Sequence, residues 1–386
     1  MQDTRLYDVS AVACPDYKDG LGGALQEALA AVGGLDFVKP GMKIAIKANL
    51  VAAAKPESAT TVHPRLLEEL CRLLTDKGAT VVIGDSPGGL YNDPVLSRVY
   101  RVCGLLPLER EGVSLNRDYG QKEAVYPEGY LLHRFQYTSY LDEADAIINV
   151  CKLKCHGMMG MSAAAKNMFG TVPGTLKPEY HFRFPDYEDF SSMILDLDNY
   201  FKPTLSIADA VWGMEGNGPT GGDPRHIGVL LASPSPHALD ACAAKILGLS
   251  PDHVPTLLAA QKRGLLPPMD EIRVYGDLDA LALSDFRNIA IRSSLEFSGD
   301  EKTAFKRLRG KVLGALLRAK PKLTPSLCVG CGMCRDICPA KAIRLNEKKK
   351  AMINRKTCIR CFCCQEFCPK SALKVHRTLI ARIAGK

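Results

Sequence analysis

Eight cysteines in two identical runs constrain this 386-residue chain more than any other feature. Cys328, Cys331, Cys334 and Cys338, followed by Pro339, spell C-x-x-C-x-x-C-x-x-x-C-P, and Cys358, Cys361, Cys364 and Cys368, followed by Pro369, repeat it 30 residues later. Three closely spaced thiolates can clasp three irons of one cubane from a single loop, and the fourth, carried into the next short helix, reaches a neighbouring cubane. The spacing therefore predicts two [4Fe-4S] clusters. Cys328, Cys331, Cys334 and Cys368 hold the first; Cys358, Cys361, Cys364 and Cys338 hold the second. Structural zinc would use paired C-x-x-C units and leaves the doubled three-plus-one arrangement unexplained. Cys14, Cys71, Cys103, Cys151, Cys155 and Cys242 read as small core residues, and Cys363 as a bystander or a thiol that tunes the second cluster.

The segment 321–376 is similar to the two-cluster bacterial ferredoxins, and both motifs are complete. Metal-type spacing in eight of fifteen cysteines implies a reducing compartment. No apolar run approaches the roughly 18 to 20 residues that cross a bilayer, and the opening MQDTRLYDVS lacks a basic and then apolar leader pattern, so a cytoplasmic protein without a membrane span is expected. The formal charge of +8 falls to roughly +4 once two oxidised cubanes with their thiolates are counted. Lys348, Lys349 and Lys350 lie between the motifs, and a basic module suits an acidic electron donor such as another ferredoxin or a flavodoxin. Nucleic acid is disfavoured because few aromatics are interleaved with the charges.

From the N-terminus to about residue 280, apolar strand-like segments alternate with amphipathic helical ones: 43–50, 80–86, 144–150, 204–210, 226–232 and 271–277 are the strand candidates. This alternation predicts an α/β domain with a largely parallel sheet covered by helices, followed by a small α+β ferredoxin-like domain. The expected boundaries are 1–298 for the α/β domain, 299–320 for a basic helical linker, 321–376 for the cluster module and 377–386 for a basic tail.

Ligands bind beyond the carboxyl ends of strands in such sheets, and polar residues collect there. Lys152, Lys154 and His156 alternate at the end of one strand and are expected on one face. Gly157, Gly160, Ser162 and Ala163 then form a turn into a short helix bearing Lys166 and Asn167, whose free N–H groups favour an anion. In 208–228, Asp209 is expected to end a strand, with Glu215 as an acid or base among glycines that include Gly218. Lys47 and Asn49, and Asp85 and Ser86, end two further strands and line the same cleft. Asp240 reads as a charge near its own helix N-terminus. No P-loop, early G-x-G-x-x-G or separate radical-type C-x-x-x-C-x-x-C occurs, which disfavours ATP and NAD.

The segments IKANL, VVIGDS, IINVCKLKCH, AAAKNMFG, IADAVWGMEGNGPTGG and SPHALDACAAKILG resemble the family catalogued as domain of unknown function 362. Its members often carry an appended two-cluster module, and the resemblance implies an iron–sulfur protein of anaerobic-type metabolism. A departure is Ala48, where the family often has proline. HGMMGMSAAAKNMFGTVPG is more faintly similar to lactate racemase-type proteins, in which a lysine matching Lys166 holds a nickel pincer cofactor; the Gly-Gly-Arg that precedes it there is missing. The expected activity is a ferredoxin-coupled reduction of an anionic small molecule, with Lys152, Lys154, His156, Lys166 and Glu215 as catalytic groups and room for a further cofactor, a flavin or nickel. The alternative is an electron carrier, assembly partner or redox sensor that catalyses nothing.

Overall fold

Strands that are apolar at successive positions have to be covered on both faces. The computed structural model describes residues 6–288 and 320–376; the linker expected over 299–320 lies outside them except for Lys320, as does the 377–386 tail. In chain order the first strands are β1 (Val9–Ala13), β2 (Lys43–Ala48), β3 (Thr80–Gly84), β4 (Val113–Leu115), a separate hairpin β5–β6 (Gln121–Val125 and Arg134–Thr138), β7 (Ala146–His156), β8 (Gly160–Ser162), β9 (Leu205–Glu215), β10 (Asp223–Ser233) and β11 (Val274–Tyr275). The main sheet runs β11-β1-β10-β9-β7-β2-β3-β4, with β8 folded back on β7. Strands β9, β7, β2, β3 and β4 are mutually parallel, and β10 runs against both β9 and β1. The largely parallel sheet read from the sequence is the one that forms.

Helices α1 (Leu21–Ala31), α2 (Pro64–Asp76) and α3 (Asp93–Val102) pack on one face. The short α4 (Ala164–Asn167) and α5 (Lys177–Arg183), with α6 (Tyr187–Phe201), α7 (Pro236–Ile246) and α8 (Pro255–Lys262), pack on the other. Because side chains alternate along a strand, Leu230 and Ala232 of β10 join the first core while Val229 and Leu231 join the second. On α2, Leu66, Leu67, Leu70, Cys71 and Leu74 form the buried stripe that a 3.6-residue period requires, and His63 caps the helix by accepting the N–H of Arg65. The 208–228 segment, expected as a loop after a strand ending at Asp209, is instead the far half of β9 and a hairpin into β10, with Glu215 opposite Asp223. Pairing carries β9 onward because Val211 and Met214 have core to enter.

In the C-terminal module β12 (Lys320–Leu323) pairs with β15 (Leu373–His376), and β13 (Ile343–Leu345) with β14 (Ala351–Ile353), both antiparallel. One-turn helices Met333–Asp336 and Cys363–Glu366 sit at matching places in the two repeats. The backbone repeats as well. Gly330 and Gly332 have φ of 71° and 81°, and Arg360 and Phe362, each 30 positions on, have 62° and 61°. A left-handed conformation costs a non-glycine residue roughly 1–2 kcal/mol. Phe362 is 1% exposed and packs into the α/β core, and burying such a ring contributes about 2–3 kcal/mol, which offsets that cost. In the first repeat the neighbouring Val329 and Met333 are exposed instead. The second motif therefore faces the α/β domain and the first faces away.

Phe362→Ala should lower the stability of the anaerobic holoprotein by about 3 kcal/mol in urea unfolding. Phe362→Gly should be milder by about 1 kcal/mol because glycine adopts the left-handed backbone freely. Equal losses would show that the backbone conformation is not strained.

Candidate functional site

The parallel strands end at unequal heights. Pairing of β7 with β2 stops at Ala48 opposite Val150, so Lys152 to His156 project beyond it. The loops that leave β2 and β3 at this edge carry Asn49 and Val51, and Asp85, Ser86 and Gly88. Together with Lys154 and His156, and with Lys166 of α4, they enclose a cavity of about 560 Å³ including its open mouth. Lys177 and His181 of α5 complete one wall. Pro219, Glu366 and Phe367 complete another, the last two from the cluster module.

The floor is a closed polar network. Lys47, fully buried, lies 3.0 Å from Asp85 and also donates to Asn167 Oδ1 at 3.1 Å. Asp85 accepts the N–H groups of Leu50 and Ser86. The Asn167 amide donates to Lys47 O, Asn149 Oδ1 and Val150 O, tying α4 to both strands. Gly170 is required here, since a Cβ would stand 2.2 Å from Asp85 Oδ1 and 2.5 Å from Lys47 Nζ.

Above this floor the lysines lack carboxylate partners among the described residues. Lys154 donates to Asn49 Oδ1 at 2.8 Å and Thr60 O at 2.6 Å, both neutral, and burial pulls its ammonium down to about 7. Lys177 donates to Ser86 O, and burial brings it to about 7 as well. Lys166 makes no hydrogen bond among the described residues; its Nζ lies 4.9 Å from the Phe169 ring centroid and 5.8 Å from that of Phe190. His156 Nδ1 accepts the N–H groups of Met158 and Met159, which leaves the ring proton on Nε2, 2.9 Å from Glu366 Oε1. Burial lowers its proton affinity while the neighbouring Glu366 works to raise it, and the Nε2 contact orients the ring toward the cluster module. His181 stacks on Phe190 at 4.3 Å and is held neutral, with burial pulling it to about 3.

Four expectations are corrected. Lys152 does not line the cavity: β7 and β9 lose register between Lys152 and Lys154, and Lys152 turns to Asp209 at 3.0 Å and to the Tyr17 hydroxyl at 2.9 Å. Asp209, inside a strand, is consumed by that pair, by the Tyr17 hydroxyl and by the His63 N–H. Glu215 is bound by Arg287 Nε at 2.7 Å and by the Arg287 N–H, away from the cavity. The α4 N-terminus is not free for an anion, because Asp240 accepts the N–H groups of Ala164 and Ala165 at 2.7 and 3.1 Å. Asp240 thus caps α4 from α7 and positions Lys166. Gly218 acts through its carbonyl, which receives Gln365 Nε2 at 2.9 Å and anchors the cluster module. Lys177, His181 and Glu366 were missed. The i, i+4 spacing of Lys177 and His181 was a usable signal, whereas Glu366 was hidden between cysteines.

The thiols gather across the repeats. Cys328, Cys331 and Cys334 line one cavity with Cys368 of the other motif, about 370 Å³ including open space. Cys358 and Cys364 lie close enough to Cys338 for its charge to raise their proton affinity, after burial itself. Cys338 and Cys368 Sγ each accept a backbone N–H, from Ala342 and Ala372, at 3.2 Å, as iron-bound thiolates commonly do. The donor set fits two four-iron clusters. Cys14, Cys71, Cys103, Cys151, Cys155 and Cys242 are buried.

No helix among the described residues is long and apolar enough to cross a membrane. The chain is 32% identical over 268 residues, 68% of this chain and 82% of the other, to a thylakoid-associated protein of Synechocystis sp.. Among solved structures it is similar to the lactate racemase apoprotein from Thermoanaerobacterium thermosaccharolyticum, with 11% identity, a TM-score of 0.40 and coverage of 64% of this chain and 58% of that one. A protein from Thermotoga maritima is similar at 11% identity and a TM-score of 0.35, with 59% of each chain covered. The match thus spans under two thirds of either solved chain. Residues 320–369 match the 4Fe-4S dicluster domain, and residues 44–245 match the family described as Domain of unknown function (DUF362). With more than half of its length in that match and a relative at 32% identity, the chain belongs to the DUF362 family and carries a C-terminal 4Fe-4S dicluster domain.

Proposed function

We propose that this protein is a cytoplasmic iron–sulfur oxidoreductase that delivers electrons to an anionic small molecule held in the cavity at the carboxyl edge of the sheet. The observation that carries this reading is that Glu366 and Phe367, which lie between Cys364 and Cys368, are part of the cavity wall. In the ligand assignment made from the spacing, those two cysteines belong to different clusters, so both clusters lie within a few residues of the bound molecule. Bound [4Fe-4S] clusters supply single electrons, one from each.

The residues of the cavity supply the rest. Lys154, Lys166 and Lys177 hold the anion, and Lys154 and Lys177, whose proton affinities lie near neutrality, deliver the two protons that a two-electron reduction needs. His156 orients, with its N–H toward Glu366. Lys47, Asn49, Asp85 and Asn167 fix the floor. Electrons enter at the first cluster: Cys331 and its neighbours Val329 and Met333 are exposed, and an acidic ferredoxin or flavodoxin is the donor that the basic surrounding sequence suits.

Anaerobically purified protein should contain about eight irons and eight sulfides. A stoichiometric flavin or nickel would identify a further centre, while irons alone with no reduction of any anion by the reduced protein would favour an electron carrier. Lys166→Ala should abolish turnover and leave both cluster spectra intact; unchanged turnover would remove Lys166 from the site. An anion is held by the ammonium form, so kcat/KM should fall as pH rises through about 7, where Lys154 loses its proton. Lys154→Arg keeps the charge but cannot release a proton, so the anion should still bind while kcat falls sharply and the Lys177 limb near pH 7 remains; an unchanged kcat would remove Lys154 as a proton donor.

A further inference from the structure

The side chains of the cavity hold more positive charge than they neutralise among themselves. Lys47 is matched by Asp85, and Glu366 is the other carboxylate in the lining. Against Glu366 stand Lys154, Lys166 and Lys177, none of which has a carboxylate within 4.0 Å among the described residues, while burial works against a charge on His156 and on His181. An ammonium removed from water without a counter-charge is costly, and proteins keep such groups where a ligand supplies the missing charge. Two neutral groups are also unmet. Ser86 Oγ and His181 Nδ1 belong to residues of the lining, each 1% exposed, and neither has a hydrogen-bond partner among the described residues. A buried hydroxyl and a buried ring nitrogen without partners call for a ligand that carries a donor and an acceptor of its own.

We infer that the ligand of this cavity is a small dianion, a dicarboxylate or a phosphate ester, that also bears a hydroxyl or carbonyl group facing Ser86 and His181. This names the substrate class of the site proposed above and rests on that reading for its redox role, though not for binding itself. A bound anion draws Lys154 and Lys177 back into the ammonium form, so two cations remain after Glu366; a single negative charge would meet one of them, whereas a dianion meets both. Glu366, on the helix that bears Cys363 and Cys364, already fills the third place, so a trianion would exceed the available charge.

Equilibrium titration calorimetry on the oxidised, anaerobic full-length protein tests this without an electron donor. The probes are malonate, its monomethyl ester as a monoanion of similar shape, hydroxymalonate and inorganic phosphate. Malonate or phosphate should bind at least tenfold more tightly than the monoester, and whichever is tighter identifies a dicarboxylate or a phosphoryl ligand. Hydroxymalonate should exceed malonate by several-fold, and that gain should vanish in Ser86→Ala. Lys166→Met and Lys154→Met should each weaken dianion binding at least tenfold; the first should melt no lower than wild type, since the half-buried Lys166 has no hydrogen-bond or carboxylate partner among the described residues, while the second also leaves Asn49 Oδ1 and Thr60 O without their donor. A monoester that binds as tightly as malonate, or dianion binding that neither lysine variant changes, would overturn the inference. Retained dianion binding in a protein that reduces nothing would instead count against the redox reading alone.

Discussion

A lysine ammonium taken out of water must find a counter-charge, find hydrogen bonds or give up its proton. The carboxyl edge of this sheet is organised by five such lysines, treated in three ways. Lys47 and Lys152 are matched one to one, by Asp85 and Asp209, and these pairs lock the loops after β2 and the middle of β9. Among the described residues Lys154 and Lys177 have only neutral acceptors, and their proton affinity drops toward neutrality. Lys166 has, among the described residues, ring faces alone. The matched pairs form the scaffold and the unmatched lysines face the cavity, so the division between structural and chemical residues follows from where the carboxylates stand.

Much of this arrangement could be read before any coordinates. Apolar strands of alternating α/β type announce their own ends, and the residues at those ends, Lys47, Asn49, Asp85, Ser86, Lys154 and His156, do converge with Lys166 and Asn167. Less legible was anything decided by a partner distant in the chain. The two-residue period of β7 put Lys152 and Lys154 on one face, but a register shift against β9 sends one to a structural carboxylate and the other to the cavity. Glu215 was a plausible base until Arg287, 72 positions later, claimed it. Asp240 lies early in one helix and serves the N-terminus of another. A single sequence shows what a residue can do and not which neighbour reaches it first.

The two cluster motifs make the same point within one module. Their covalent spacing is identical and their left-handed backbone positions coincide, yet the first repeat meets that conformation with glycines and the second with Arg360 and Phe362. The sequence difference marks which repeat has a surface to press against. A phenylalanine in a strained conformation is sustained because its ring finishes a core begun by another domain.

The loop after β3 makes the same joint from the other side. Gly88 approaches the ring of Phe367 so closely that a Cβ there would lie 1.7 Å from a ring carbon. A tether between two modules supplies only effective concentration, and either module can then come and go. A ring seated against bare backbone leaves no such freedom. The cluster module is consequently not a shuttle held on a leash, and a free ferredoxin supplied in its place would leave the cavity without one of its walls.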